Sequence, residues 1–242
     1  MIEIKKGDFI EVEYTGKVKE DNFIFDTTSE KVAKEKRIYN PNAQYGPTII
    51  CIGQHHLLKG LDDGLEGKEI GKEYTIELSP EQAFGKKSAQ LIKLVPASAF
   101  KRGKVQPEIG MQVDIDGNMG IVKTVTGGRI VVDFNHPLSS KELVYTIKAN
   151  KIITDDAEKV KVTISLILNL KKESIEVAAV DGKATVKMLK LPEAFQKELA
   201  KRITETVPTV KEVVFEAKSE KSSAGHSKAV EKIEKQPLNT SR

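Results

Sequence analysis

Short segments in which apolar and polar residues alternate occur along most of the chain, and this pattern restricts the possible folds more than any other feature. Near the start, Ile10, Val12 and Tyr14 share one face of a predicted strand, while Glu11 and Glu13 lie on the other. Residues typical of turns separate these segments. A few stretches have helical spacing instead. The sequence therefore predicts an α+β fold built mainly from antiparallel strands.

Two local signals mark individual elements. Gly127-Gly128 lies between the β-branched runs 121–125 and 130–134, which predicts a two-residue hairpin in a small antiparallel module over 86–134. The leucines of 57–65 have helical spacing, and Gly60 and Gly64 would leave one stripe of that helix without side chains. Another element could then approach the helix backbone. The polar stretch 26–46 is predicted to be a long excursion between strands.

The last third of the chain shows a strong period-two pattern, which predicts a strand with six aliphatic residues on one face: Val160, Val162, Ile164, Leu166, Leu168 and Leu170. Two further strands, a helix that starts at Pro192 and a final strand complete a β-β-β-α-β domain over 157–217. Six aligned aliphatic side chains are more than one short helix covers. We therefore expect a homodimer that forms through this region.

Composition limits the class of protein. The chain has 242 residues, of which 31% are charged and 39% hydrophobic, so it can form more than one compact domain. It contains no run of 18 apolar residues and starts without an apolar signal-peptide core, so neither a membrane span nor secretion is expected. Its single cysteine, Cys51, cannot form an intramolecular disulfide, which favours a cytoplasmic location.

The net charge of +4 is unevenly distributed, because residues 218–242 alone carry +3. That segment has few apolar residues and no aromatic ones, and we predict that it is a disordered tail. The remaining body is almost neutral. Binding of nucleic acid through the tail would need basic and stacking side chains together, so we expect no nucleic-acid partner and interpret the tail as a solubility feature.

Few residues suggest metal, nucleotide or nucleophile chemistry. His55 and His56 are adjacent, so their side chains diverge, and the other histidines are far away in sequence. The glycines of 60–67 lack the spacing and the Lys-Ser/Thr pair of a phosphate-binding loop. Cys51 has no evident activating partner. We therefore expect no metal and no cofactor.

Three segments taken together resemble a known family. They are Val12-Glu13-Tyr14-Thr15-Gly16 with Phe25-Asp26-Thr27, then Ile52-Gly53-Gln54 with 57–65, and then 78–85. Their order, spacing and residue types resemble those of FKBP-type peptidyl-prolyl cis-trans isomerases. The residues after Phe84-Gly85, up to the rejoining Asn135-His136-Pro137-Leu138, are similar to the insert-in-flap domain of the SlyD-type and long archaeal-type members, where it acts as a chaperone module.

The resemblance covers residues 1–154 and implies a division into domains. An isomerase domain, 1–85 and 135–154, would have an antiparallel sheet wrapped on a short helix, and the chaperone insert would be 86–134. The family pattern implies a proline pocket walled by Tyr14, Phe25, Leu57, Leu58, Leu61, Phe84 and Tyr145, with Asp26 at its edge. In that pattern the Leu58 amide binds a substrate carbonyl.

The chain departs from the best-known members at three pocket positions. Leu61 replaces a tryptophan, Phe84 replaces a tyrosine, and Thr48 occupies a position that is often aromatic. These changes argue against tight macrolide binding more than against catalysis, because SlyD-type members also have an aliphatic pocket floor.

The chemistry of such a pocket is simple. Resonance opposes rotation of a peptide bond by about 18–20 kcal/mol, and an X–Pro bond isomerises slowly enough to limit folding. Twisting removes the resonance and makes the bond less polar, so an apolar pocket favours the twisted state. Unfolded or partly folded polypeptides with X–Pro bonds are the expected partners. The main alternative is a holdase that retains the scaffold without turnover.

The insert is rich in apolar residues for a module of its size, so we predict that part of it is a surface that binds unfolded chains. Methionines add adaptable contacts. The residues of this predicted client surface are Leu91, Ile92, Leu94, Val95, Phe100, Met111, Val113, Met119 and Ile121.

Overall fold

A computed structural model describes residues 2–102 and 105–217 of the chain. Within these, the contacts divide the protein into two compact units. Unit one comprises residues 2–17, 24–76 and 144–217, and unit two comprises 18–23 and 77–143. The α+β class is confirmed, with antiparallel sheets and few helices. The predicted disordered tail, 218–242, lies outside the described residues. None of the described helices is long and apolar enough to cross a membrane.

The main sheet follows the order β2-β1-β9-β4, and β3 also pairs with β1. Its buried face carries Ile10, Val12, Ile50 and Ile147, the alternating residues expected of a half-buried strand, and they pack with Leu65. The strands are β1 (Phe9–Val18), β2 (Ile24–Thr27), β3 (Thr48–Cys51), β4 (Glu73–Leu78) and β9 (Leu143–Ile152).

Two helices lie between these strands. The predicted helix at 57–65 is confirmed as α2 (Lys59–Leu65). A side chain at Gly64 would lie 3.2 Å from Ile76, so the absence of a side chain does allow another element to approach there. The predicted excursion at 26–46 contains a helix that the sequence analysis missed, α1 (Glu30–Glu35), whose first turn is capped by the Ser29 side chain.

The segment predicted to be the first strand of the C-terminal domain is a helix, α4 (Asp156–Leu168), so the prediction of a β-β-β-α-β unit is wrong in its first element. Every second residue of 160–170 is apolar, and this set also contains pairs at helical spacing, since Val160 and Ile164 are buried one turn apart. The ends of the helix decide the conformation. Asp155 caps the first turn, and Asn169 ends the helix with a left-handed φ of 50°.

The rest of the C-terminal segment is α+β as predicted. Its three-stranded sheet has the order β10-β11-β12, in which β10 and β11 are antiparallel and β11 and β12 are parallel. The elements are β10 (Glu176–Val180), β11 (Lys183–Met188), α5 (Glu193–Thr206) and β12 (Glu212–Ala217). Phe9, Cys51 and Ile153 of the isomerase segment share one apolar core with Val160 and Leu199, so the C-terminal segment packs on the main sheet.

This packing removes the reason for the predicted homodimer. The prediction required six aliphatic side chains on one face of a strand, but five of them are distributed around helix α4 and Leu170 lies after it. Val160, Val162 and Ile164 are completely buried within the protomer. The structure therefore gives no support for association through this region.

Unit two contains the insert, whose sheet has the order β5-β8-β7-β6. The predicted Gly127-Gly128 hairpin is confirmed, because both glycines have the positive φ that a two-residue turn of this type requires. Asn135 closes the base of the insert, since its side chain accepts a hydrogen bond from the Ser88 amide and donates one to the Ser88 carbonyl. The elements are β5 (Ile92–Pro96), α3 (Ala97–Arg102), β6 (Gln112–Ile115), β7 (Asn118–Thr126) and β8 (Arg129–Asp133).

The two faces of this insert sheet differ, and the predicted client residues divide between them. Val95, Phe100 and Val113 form part of the insert's own core, so the prediction that they form a surface is wrong for these three. They are buried because the sheet packs on α3 on that side. Met111 packs against the same core.

The opposite face of the insert sheet is apolar and open. The register places Ile92 beside Asp133 and Leu94 beside Val131 across β5 and β8. On β7, Met119 and Ile121 point away from the core, because the alternate residues Gly120 and Val122 are buried. Leu94 is 59% exposed and Met119 is 52% exposed. We call Ile92, Leu94, Met119, Ile121 and Val131 the open face; Leu91, before β5, is also exposed.

Candidate active site

Three predicted pocket residues form an aromatic cluster in unit one. The Tyr14 and Tyr145 ring centroids are 5.9 Å apart, and those of Phe25 and Tyr145 are 5.8 Å apart with the planes at 83°. Such tilted and edge-on arrangements are favourable for aromatic rings. Tyr145 is buried in β9, and the other two rings come from β1 and β2. Neighbouring strands thus hold the three rings together.

Asp26 is placed beside these rings by the pairing of β1 with β2, which sets Asp26 opposite Gly16. The Tyr14 hydroxyl lies diagonally across the pair and donates a hydrogen bond to the Asp26 carboxylate. Burial raises the pKa of Asp26, and the hydrogen bond from Tyr14 acts in the opposite direction. Burial, reinforced by the charge of Asp26, raises the pKa of Tyr14, so its phenol stays protonated as a donor.

The end of β2 is fixed to β1 by threonines. The Thr28 amide donates to the Tyr14 carbonyl at 3.0 Å, and the Thr28 hydroxyl accepts from the Tyr14 amide at 3.0 Å. The hydroxyls of Thr15 and Thr27 are also hydrogen-bonded at 2.8 Å. These contacts hold Asp26 against Tyr14.

The leucines of the pocket lie before and within α2. Leu57 packs against the same core as Tyr14, Leu61 is fully buried, and Leu58 is half-buried at the start of the helix. The Leu58 carbonyl accepts from the amides of Leu61 and Asp62. The Leu58 amide donates to no residue that the structure describes, so this N–H is free to bind a ligand.

Asp62 and His56 hold the loop that precedes α2. The buried Asp62 carboxylate accepts from the Gly53 amide with both oxygens at 3.0 Å and from the His55 amide at 3.1 Å. His56 Nδ1 accepts from the Cys51 amide at 3.0 Å. Burial lowers the pKa of His56, which keeps Nδ1 unprotonated and able to accept. This loop carries Leu57 and Leu58.

Phe84, the remaining predicted wall residue, belongs to unit two. Its ring stacks on His136 with the centroids 4.2 Å apart and the planes at 5°. His136 Nδ1 accepts from the Leu138 amide, and the Ser139 hydroxyl donates to the Phe84 carbonyl. The residues predicted to rejoin the isomerase domain therefore fix the position of Phe84.

A cavity of ≈ 260 Å³ adjoins the aromatic cluster in unit one. Tyr14, Phe25 and Asp26 form one wall of this cavity. The other walls are Thr27, Thr28, Ala33, Ile38, Asn40, Ala43, Gln44, Tyr45, Gly46 and Thr48. Most of these residues come from the excursion after β2. Among the described residues, no group of three histidine, cysteine or acidic side chains could hold a metal ion.

Part of the chain that carries this site matches known proteins. Residues 2–101 match the family model described as FKBP-type peptidyl-prolyl cis-trans isomerase. A short-type peptidyl-prolyl cis-trans isomerase of Methanocaldococcus jannaschii is 35% identical over 155 residues, which is 64% of this chain and 98% of the relative. The chain belongs to this family. It is an FKBP-type isomerase, an enzyme that acts on the X–Pro bonds of polypeptides.

Other matches concern SlyD-like members and the insert. SlyD of Haemophilus influenzae is 33% identical to this isomerase over 100 residues, 40% of the chain and 52% of the relative. A 16 kDa FKBP-type isomerase of Escherichia coli is 32% identical over 111 residues, 44% of the chain and 74% of the relative. Residues 93–138 match the model described as FKBP26, IF domain.

Sequence reasoning missed three residues that shape the isomerase site. Gly16 allows the Tyr145 ring to lie over β1, and His56 and Asp62 support the loop of Leu57 and Leu58. Gly16 lies in the quoted motif, where its lack of a side chain is the available signal. Nothing in the local sequence of His56 or Asp62 shows which backbone amides they bind.

Replacing Gly16 with alanine should displace Tyr145. A Cβ there would lie 2.6 Å from Tyr145 Cε1 and 3.1 Å from Phe25 Cζ, so a ring must move. We expect about 1–3 kcal/mol lower stability in urea unfolding and a lower kcat/KM. Gly64→Ala is the matched control, because its Cβ would lie 3.2 Å from the Ile76 Cδ1 and Cγ2 methyl groups, a smaller overlap than at Gly16, and alanine favours a helix. Equal effects of the two variants would contradict this account.

The pocket loop should weaken at acidic pH. Because burial lowers the folded-state pKa of His56 below its ordinary value of 6.5, neutral His56 contributes stability that is complete above pH 6.5. That contribution is lost as the pH falls from there through the folded-state pKa. Glutamine keeps an acceptor that does not titrate, so His56→Gln should flatten this part of the stability curve relative to that of the unaltered chain. Unfolding measured between about pH 4.5 and 7.5 tests the difference; identical curves would refute it.

Proposed function

We propose that the isomerase reaction takes place in the pocket of Tyr14, Phe25, Asp26 and Tyr145, completed by Leu57, Leu58 and Leu61. The family pattern alone adds Phe84 as a further wall residue. The aromatic cluster supports this proposal most strongly, since it sets a half-buried carboxylate and three rings beside one another. The rings provide an apolar surface on which the twisted, less polar X–Pro bond is more stable than the planar one. Asp26 and the Leu58 N–H orient the flanking carbonyl and amide groups.

No acid–base step is needed in this mechanism. Rotation makes and breaks no bond, so the pocket has only to bind the twisted bond more tightly than the planar one. The raised pKa values of Tyr14 and Asp26 both follow from burial, which also excludes the water that would solvate the planar, polar form. The reaction requires no cofactor in this proposal.

The role of the Leu58 amide can be tested with proline. Leu58 has a φ of −56°, which proline adopts, so Leu58→Pro removes the N–H at a compatible backbone position. Leu58→Ala is the matched control, because it loses the same side chain and keeps the N–H. We expect the kcat/KM of a proline tetrapeptide to be about tenfold lower for the proline variant than for the alanine variant. Equal values would show that the amide does not bind substrate.

We propose further that the insert, 86–134, holds unfolded chains on its open face. Ile92, Leu94 and Met119 support this, because their side chains are large, apolar and largely exposed on one side of a small sheet. Methionine adapts to varied partners. Isomerisation and holding would then be carried by separate surfaces, and the client residues are those that remain outside the insert's core.

Domain limits and location follow as proposals. The isomerase domain would be 1–85 with 135–154, the insert 86–134 and the C-terminal domain 157–217. The match of the IF-domain model to 93–138 favours the insert limits, and the shared core with Phe9 and Ile153 suggests that the C-terminal segment supports the isomerase sheet. Cytoplasm stays the predicted compartment.

A further inference from the structure

The cavity beside the aromatic cluster is smaller than a site for a whole drug-sized molecule. At ≈ 260 Å³ it is smaller than the range of about 300–1,000 Å³ that drug-sized ligands occupy. One wall is formed by Tyr14, Phe25 and Asp26, which also face the proposed proline pocket. A single side chain next to a bound proline is therefore a suitable occupant.

The lining of the cavity accepts hydrogen bonds and carries one negative charge. Of the described lining residues, only Asp26 is charged at neutral pH. Asn40, Gln44 and Thr48 add amide and hydroxyl oxygens. The half-buried Asp26 carboxylate accepts from the Tyr14 hydroxyl, and none of the described cationic side chains forms an ion pair with it, so its charge is not neutralised.

Basic residues of the same excursion do not fill this space. Lys34 pairs with Glu30 at 2.6 Å and lies over the Tyr39 ring. Lys36 and Arg37 are exposed and do not line the cavity. No described cationic side chain of the protein therefore forms part of the wall that faces Asp26.

The excursion is held in place before any ligand binds. The Tyr39 and Tyr45 rings stack with centroids 5.3 Å apart, and the Tyr45 hydroxyl accepts from the Asn40 amide at 2.9 Å. The Gly46 amide donates to the Thr28 carbonyl at 2.7 Å. A cavity that is already formed costs little ordering on binding.

We propose that this cavity is a specificity subsite for an arginine or lysine side chain that directly precedes the substrate proline. The carbonyl of that residue belongs to the isomerised bond, so its side chain starts at the pocket edge where Asp26 lies. The cation would face the Asp26 carboxylate, and the Asn40 and Gln44 oxygens would accept its remaining N–H groups. The inference depends on the proposed position of the proline pocket.

The test compares tetrapeptides Ala-Xaa-Pro-Phe in which Xaa is arginine, lysine, glutamine or leucine, with cis-trans exchange followed by NMR. For the unaltered chain, arginine and lysine should give a kcat/KM about tenfold above leucine. Gln44 is exposed at the cavity rim, so its charge can be changed without disturbing the core. Gln44→Lys should reduce the kcat/KM of the arginine and lysine peptides relative to that of the leucine peptide, and Gln44→Glu should increase this ratio.

Ala178→Lys and Ala178→Glu are matched charge controls, because Ala178 is exposed on β10 and is not a lining residue. They should not alter the preference. Equal rates for all four peptides, equal rates for glutamine and arginine, or a preference that the Gln44 variants leave unchanged would each overturn the subsite. If none of the peptides is turned over, the proposed proline pocket is wrong, but peptide affinities measured by NMR titration still test the cavity. Tighter binding of the arginine peptide that changes in the Gln44 variants supports the subsite. Equal binding of all four peptides overturns it.

Discussion

The double variant Asp26→Ala, Phe84→Ala should lose nearly all acceleration of a proline-limited refolding reaction. Asp26 is the half-buried carboxylate of the aromatic cluster, and Phe84, which stacks on His136, is a wall residue that the family pattern implies. Removing both takes away an orienting group and apolar surface that favours the twisted bond. We expect kcat/KM to fall about 100-fold or more, since a loss of roughly 2.7 kcal/mol in transition-state binding corresponds to that factor. Stopped-flow refolding of a model substrate with a slow proline phase measures it.

The controls for this experiment are matched by residue type. Phe23→Ala removes an exposed phenylalanine, and Asp63→Ala removes an exposed carboxylate that pairs with Lys59. Both controls should retain full turnover. If the double variant retained it as well, the proposed pocket would be wrong. If the unaltered chain gave no acceleration, the alternative of a holdase on this scaffold would be favoured instead.

Most strands could be predicted from the sequence because one face of each is buried. The alternation of Ile10 and Val12 shows which face of β1 packs on the core, and Gly127-Gly128 identifies a turn that needs two positive φ values. Such signals are local. They depend on the residue and its immediate neighbours, and they therefore survive in a single sequence.

The error at α4 shows where local pattern is ambiguous. In 160–170 the apolar residues satisfy the strand and the helix periods together, and β-branched residues such as Val160 favour a strand. Tertiary packing decides between strand and helix for this segment, because the helix buries Val160 and Ile164 against the core that includes Phe9. The Asp155 cap was the sequence signal that favoured the helix.

The site was predictable only in part for a related reason. The resemblance to the family identified Tyr14, Phe25, Asp26 and Tyr145, which the strands do bring together. The supports of the site depend on strand register and loop conformation, which a single sequence does not specify. His56 binding the Cys51 amide and the cavity beside Asp26 are examples. Residues that act through backbone contacts leave little trace in composition or spacing.

Replacing the open face of the insert should abolish its ability to suppress aggregation. In the triple variant Ile92→Ser, Leu94→Ser, Met119→Ser, all three changes fall on exposed side chains, so the core of Val95, Val122 and Val132 stays intact. An unfolded client would lose the apolar surface that binds it, worth about 1.5–3 kcal/mol for each large side chain if fully buried. We expect complete loss of aggregation suppression, measured by light scattering of an unfolding client, and nearly unchanged turnover of a proline tetrapeptide.

A second triple variant separates this effect from a general loss of surface hydrophobicity. Phe23→Ser, Leu166→Ser and Val180→Ser remove three exposed apolar side chains outside the insert. Because none of them belongs to the open face, this control should suppress aggregation as well as the unaltered chain does. Deleting 86–134 should reproduce the loss caused by the open-face variant, since that face is the part of the insert proposed to hold clients. If the open-face variant lost tetrapeptide turnover and aggregation suppression together, one surface would serve both activities. Two separate surfaces predict otherwise, because removing the client surface of the insert should not change X–Pro rotation in the proline pocket.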